Sequence, residues 1–205
     1  MSAYRLVQEF EGRTDFPVYL DQIRDAVIRI GMTDRVVFKA VDIDENVLRG
    51  ICYRYTFSPG VYAEPEERID ILYAASLDLP WQRLVVAKEL IHTLDKEGHR
   101  ITKEDELNEL VRRMARRPEL REPMSWHEAS DRVALFQALG ILLPYAAREL
   151  IKVKYDTGHV SDEMIAHRAG IPDQFVSFLM SDDWTEMYQG FMSLCEGDQT
   201  AKAAE

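Results

Sequence analysis

Trp81-Gln-Arg-Leu-Val-Val-Ala-Lys-Glu-Leu-Ile-His-Thr-Leu-Asp95 is the stretch on which the reading of this chain turns. It reads as one buried, amphipathic helix, opened by Trp81 after a loop that ends at Pro80 and closing near Gly98. Upstream, Phe16-Pro17 opens a helical pattern in which Val18, Leu20, Ile23, Val27, Ile28 and Ile30 recur, with Gly31 as its stop. Residues 35–41 predict a strand, 42–46 a polar turn, 48–57 the hairpin partner of that strand, and 68–73 a third short strand. The expected class is α+β: a small antiparallel sheet with helices on one side, and a helical C-terminal part.

Downstream of Gly98, Ile101-Thr102 leads into a helix with Thr102-Lys-Glu-Asp105 as its capping box. After Pro118 to Pro123 a strongly apolar helix is expected from Ser125 to Leu143, then a shorter one from Tyr145 to Tyr155. Residues 161–180 read as helix, turn, helix, with Ser161 as cap and Gly170 at the turn. The second of those helices offers Asp173, Gln174, Ser177 and the pair Asp182-Asp183 but no Arg or Lys, so it reads as packing and not as DNA readout. The expected division is 1–157 for the main domain, 158–195 for a helical extension and 196–205 for a polar, disordered tail.

Over 205 residues, 46% are apolar and 30% charged, as in soluble globular proteins. No apolar run approaches the roughly 20 residues of a membrane helix, and the first residues lack the pattern of a secretory signal. Two cysteines far apart, Cys52 and Cys195, fit a reducing cytoplasm. A formal net charge of −11 argues against a general nucleic-acid binder, which needs a basic face to displace phosphate counterions. Arg112, Arg113, Arg116, Arg117 and Arg121 form the one basic run, balanced as a solvated face by Glu104, Asp105, Glu106 and Glu109, or used to dock an acidic partner.

The chemistry sits at Lys88-Glu89-Leu90-Ile91-His92. In His-Glu-x-x-His, two imidazoles four residues apart grip one Zn²⁺ and the Glu acts as general base on the metal-bound water. Here Glu89 holds the general-base position and His92 that of the second ligand, but Lys88 occupies the first ligand position. A protonated ammonium has three donors and no lone pair to give a metal. The helix that begins Trp126-His127-Glu128-Ala129-Ser130-Asp131 is the natural source of a third ligand.

Together these pieces resemble the ImmA/IrrE family of bacterial and phage metallopeptidases, and the resemblance implies a zincin-like helix core packed with the sheet. Members of that family carry Arg-x-x-x-Ala-His-Glu-x-x-His and then Glu-x-x-Ala-Asn-x-Phe-Ala-x-x-Leu-Leu-Met-Pro. The chain shows Arg83-Leu-Val-Val-Ala87 before Lys88-Glu-Leu-Ile-His92, and Asp131-Arg-Val-Ala-Leu-Phe-Gln-Ala-Leu-Gly-Ile-Leu-Leu-Pro144. Aligned on Pro144, Asp131 takes the place of the family's third carboxylate ligand. Ile165-Ala166-His-Arg-Ala-Gly-Ile171 resembles a Leu-Ala-x-x-Phe-x-Val step further on. The likeness covers 69–179 and departs from the family at Lys88 for His, Asp131 for Glu, Leu135 for Asn and Gln137 for Phe.

Three functions follow as expectations. In the first, a Lys88–carboxylate bridge to Asp131 and Glu89 replaces the metal, and a pseudoenzyme without zinc acts by binding another protein, such as a transcriptional repressor or regulator. In the second, Glu89, His92 and Asp131, with His127, Glu128 or His99, bind a divalent ion, and the chain is an active zinc endopeptidase that cleaves a repressor-type protein. In the third, the chain is a helical interaction module whose contact surfaces are the basic run and the aromatic residues Trp184, Tyr188 and Phe191. The same aromatics also suit a packed terminal helix.

Overall fold

The structure, a computed structural model, describes residues 2–31, 33, 35–60, 62–95 and 126–202, with the backbone alone for 2, 126–128 and 194–202. The predicted helix from Ile101, the basic run from Arg112 to Arg121 and His99 lie outside the described residues. The order is α1 (Ser2–Glu11), α2 (Leu20–Gly31), β1 (Arg35–Val41), β2 (Gly50–Phe57), β3 (Glu66–Ala74), α3 (Leu79–His92), α4 (Trp126–Leu142), α5 (Tyr145–Asp156), α6 (Asp162–Ala169), α7 (Val176–Leu179) and α8 (Asp182–Lys202). A 3₁₀ turn, Asp173–Phe175, precedes α7.

The α+β class holds, but the sheet is mixed and not antiparallel. Its order is β1-β3-β2, so the expected β1–β2 hairpin does not form. β1 runs parallel to β3, from Arg35 opposite Arg68 to Val41 opposite Ala74, while β2 and β3 are antiparallel from Gly50 opposite Tyr73. The reason lies in burial. Ile69, Asp70 and Ile71 are buried in succession in β3, as suits a central strand covered on both edges, whereas β1 is exposed at Arg35, Lys39 and Ala40. Residues 42–49 are too many for a tight two-residue turn, and they carry the chain across the end of β3 to the far edge.

Asp78 caps α3, its carboxylate accepting from Trp81 N–H at 2.9 Å, and Pro80 sits in the first turn, where a missing N–H does no harm. The helix therefore starts at Leu79, two residues before the predicted Trp81, and ends at His92, not near Gly98. It is not one-sided. Leu84, Val85, Val86, Ala87, Glu89, Leu90 and Ile91 are all buried, because the sheet covers one flank and α2 and α4 cover the others. Arg83 fastens it further: Nη2 donates to Val18 C=O at 3.0 Å and Nε to Gly170 C=O at 3.0 Å. Gly170 ends α6 in the left-handed conformation with φ 65, and a Cβ there would meet Arg83 Nε at 2.6 Å.

At Gly50, β2 passes close against α3. A Cβ added there would stand 2.3 Å from Val85 Cγ1 and 3.2 Å from Leu72 C=O. Gly50→Ala is expected to destabilise by about 2 kcal/mol through overpacking, and Val85→Ala in the same chain to recover part of it. Urea denaturation of both variants checks this.

One core runs from Leu6, Val7 and Phe10 of α1 through α2, the sheet, α3 and α4 to Trp184 and Tyr188 of α8. Residues beyond 157 share it, so position 157 does not divide the packing. α1 was not expected from the sequence. α8 continues through residue 196, where a tail was expected to begin. Among the described residues no single helix is long and apolar enough to cross a membrane.

Candidate functional site

α3 packs along α4, and their facing sides bring together the four predicted side chains, Lys88, Glu89, His92 and Asp131. The Lys88 ammonium donates to Glu89 Oε1 at 2.9 Å and to Asp131 Oδ1 in a shorter contact. The same Asp131 oxygen lies 3.4 Å from His92 Nε2, while His92 Nδ1 meets Asp95 Oδ2 at 2.8 Å. Asp95 was not singled out from the sequence, although its three-residue spacing from His92 was a usable signal. Glu89 is the most deeply buried member, its side chain 5% exposed, and Asp131 the most open at 53%. The side chains of His127 and Glu128 lie outside the described residues.

The electrostatics follow from this placement. Burial pulls the Lys88 ammonium down, but the Glu89 and Asp131 carboxyl groups outweigh it and hold its pKa above the ordinary lysine value. Burial likewise lowers His92, yet its hydrogen bonds to Asp131 and Asp95 prevail and raise it to about 9. Burial would raise Asp131; the bond from His92 and the charge of Lys88 overcome that and keep it well below the usual carboxylate range. Both ring nitrogens of His92 therefore act as donors, as in an imidazolium.

Zinc requires lone pairs, commonly from three protein ligands with one position left open. In its ammonium form Lys88, at the first of those positions, offers none. His92 and Asp131 would supply one donor each, and Glu89 a third only by leaving the Lys88 ammonium. Among the described residues no group of three or more His, Cys, Asp or Glu side chains is arranged to hold a metal ion. What the arrangement does is clamp α3 to α4 through charge.

That clamp has a pH window. His92 lies above its ordinary 6.5, so its contribution is complete below about pH 6.5 and is lost as the pH rises through about 9. Asp131 is displaced the other way, and its contribution is complete above about pH 4 and fades only as the pH falls toward its depressed value. The urea midpoint of the wild type is expected to fall between about pH 6.5 and 9.5, and His92→Gln to remove most of that slope. An equal slope in the variant would assign the titration to other groups.

Three expected features fare differently. Trp184 and Tyr188 are 1% and 4% exposed and pack with Phe136, so as contact surfaces they are overturned. The second helix of the helix-turn-helix shrinks to the single turn of α7, with Val176 and Leu179 buried. Ser161 caps α6 as expected, accepting from Met164 N–H at 3.3 Å. Compared with known proteins, the chain matches no protein-family model, no curated protein and no solved structure.

Proposed function

We propose that this chain is a metallopeptidase-like protein of the ImmA/IrrE type that does not hydrolyse peptides and acts by binding another protein. A transcriptional repressor or regulator is the partner class that the family resemblance implies. One observation carries the proposal: the ammonium of Lys88, from the position where the motif needs an imidazole, is bonded to both Glu89 and Asp131. A general base in this chemistry acts on a metal-bound water. Glu89 is instead paired with a neighbouring cation, and in this reading a zincin-like helix core serves as a scaffold alone. The net charge of −11 favours a protein over a nucleic acid as the bound partner.

The test joins metal analysis to a cleavage assay. Protein purified without chelators is expected to carry far less than one zinc per chain, and incubation with repressor-type proteins to give no cleavage. Stoichiometric zinc, or a cleavage that Glu89→Gln abolishes, would restore the other reading, an active zinc endopeptidase with an altered ligand set.

A further inference from the structure

α5 turns two cationic side chains inward, beside Ala147 and Ile151, and two apolar ones outward. Its inward face carries Arg148, which is 1% exposed, and Lys152, while Leu150 and Val153 face out at 64% and 70% exposure. Hydrogen bonds set this orientation. Arg148 Nε donates to Leu179 C=O at 2.5 Å and Nη2 to Ser181 C=O at 2.7 Å, and Lys152 donates to Met180 C=O at 3.0 Å. Rotating the helix to bury its leucine and valine would strand three carbonyls and an arginine.

The outward face is patterned. Ala146, Leu150 and Val153, with Thr157 at the C-cap, follow at spacings of four, three and four, the spacing of a coiled-coil seam. Exposed Glu149, one of whose oxygens accepts from Arg148 Nη1 of the same chain, flanks the seam on one side, and exposed Lys154, five residues on, flanks it on the other. About a two-fold axis parallel to the helix, Glu149 of each chain meets Lys154 of the other on both sides. In an antiparallel pair, like charges would meet. From this self-complementarity we infer that the exposed face of α5 is a homodimer interface, occupied by α5 of a second copy in parallel. The inference does not depend on the proposed function, since it uses none of the residues between α3 and α4.

A seam on one 12-residue helix buries well under the roughly 1,200 Å² of a standard interface. The association is therefore in the micromolar range or weaker. Sedimentation equilibrium of the full chain from about 5 to about 500 μM should show a monomer–dimer equilibrium. Leu150→Glu/Val153→Glu should weaken it by at least about tenfold, as should Lys154→Glu alone, and Glu149→Lys/Lys154→Glu should restore it. Circular dichroism confirms that each variant is folded. A wild type that stays monomeric throughout, or a dimer that none of these changes weakens, overturns the inference. A dimer weakened by the seam changes but indifferent to the charge exchange overturns the parallel pairing.

Discussion

Lys88→Ala is expected to lower the unfolding free energy by about 3 kcal/mol, because it leaves a buried carboxyl group without its cation. Glu89 carries most of that loss, since its side chain is 5% exposed and Lys88 is the ion-pair partner found for it among the described residues. Asp131 adds less. It is half in water and keeps His92 beside it. The net worth of the whole clamp is smaller than this figure, because desolvation offsets much of the attraction when both partners are present. Lys88→Met with Glu89→Leu should therefore recover most of what Lys88→Ala loses. Urea denaturation near pH 6.5 measures both. A loss below about 0.5 kcal/mol for Lys88→Ala would mean that the ammonium is solvated and holds nothing.

Arg148→Met is the second large effect, at about 3 kcal/mol. The substitution keeps the buried stem but withdraws both donors from the carbonyls of Leu179 and Ser181, which close α7 and lead into α8. Arg148→Lys should not restore it, because a single ammonium cannot reproduce two donors held in a planar fork. Hydrogen exchange distinguishes this from a uniform loss. Protection is expected to drop first in α7 and the start of α8, around Trp184, while the amides of β3 keep theirs near the global limit. Equal loss in β3 and α8 would contradict a local role for this arginine.

How much of this was legible in the sequence depended on whether the signal was local. β1 is found where the run of β-branched and apolar residues placed it, at Arg35–Val41, and α4, a run of apolar residues stopped by Pro144, is within a residue of its expected ends. Strand pairing was not legible. A polar turn between two strands suggested a hairpin, but which strand lies in the middle depends on burial from both sides, which only the assembled fold supplies. α1 was missed although Tyr4, Val7 and Phe10 fall on one helical face, because so short a segment has little weight before α2 and α4 exist to pack against.

The candidate site divides in the same way. The nearness of Lys88 and His92 follows from a four-residue spacing on one helix. That Asp131 reaches both came from aligning α4 on Pro144, a resemblance and not a derivation, and the packed helices bring the three side chains within bonding distance. Asp95 escaped attention because the predicted helix ran past it, whereas α3 stops at His92 and frees the following turn to fold back. Arg148 left no mark at all. Nothing in one sequence distinguishes an arginine that snorkels to water from one that enters the core to meet carbonyls 31 and 33 residues away.

The protonation and mobility of the Lys88 side chain test the central claim most directly. Nitrogen-15 NMR of the lysine side chains near pH 7, recorded before and after one equivalent of zinc, reports on that nitrogen alone once Lys88→Arg has identified its signal. An ammonium signal protected from solvent exchange and unmoved by zinc is the predicted result. A rapidly exchanging signal like those of surface lysines, or one that shifts or disappears in proportion to the added zinc, would contradict it.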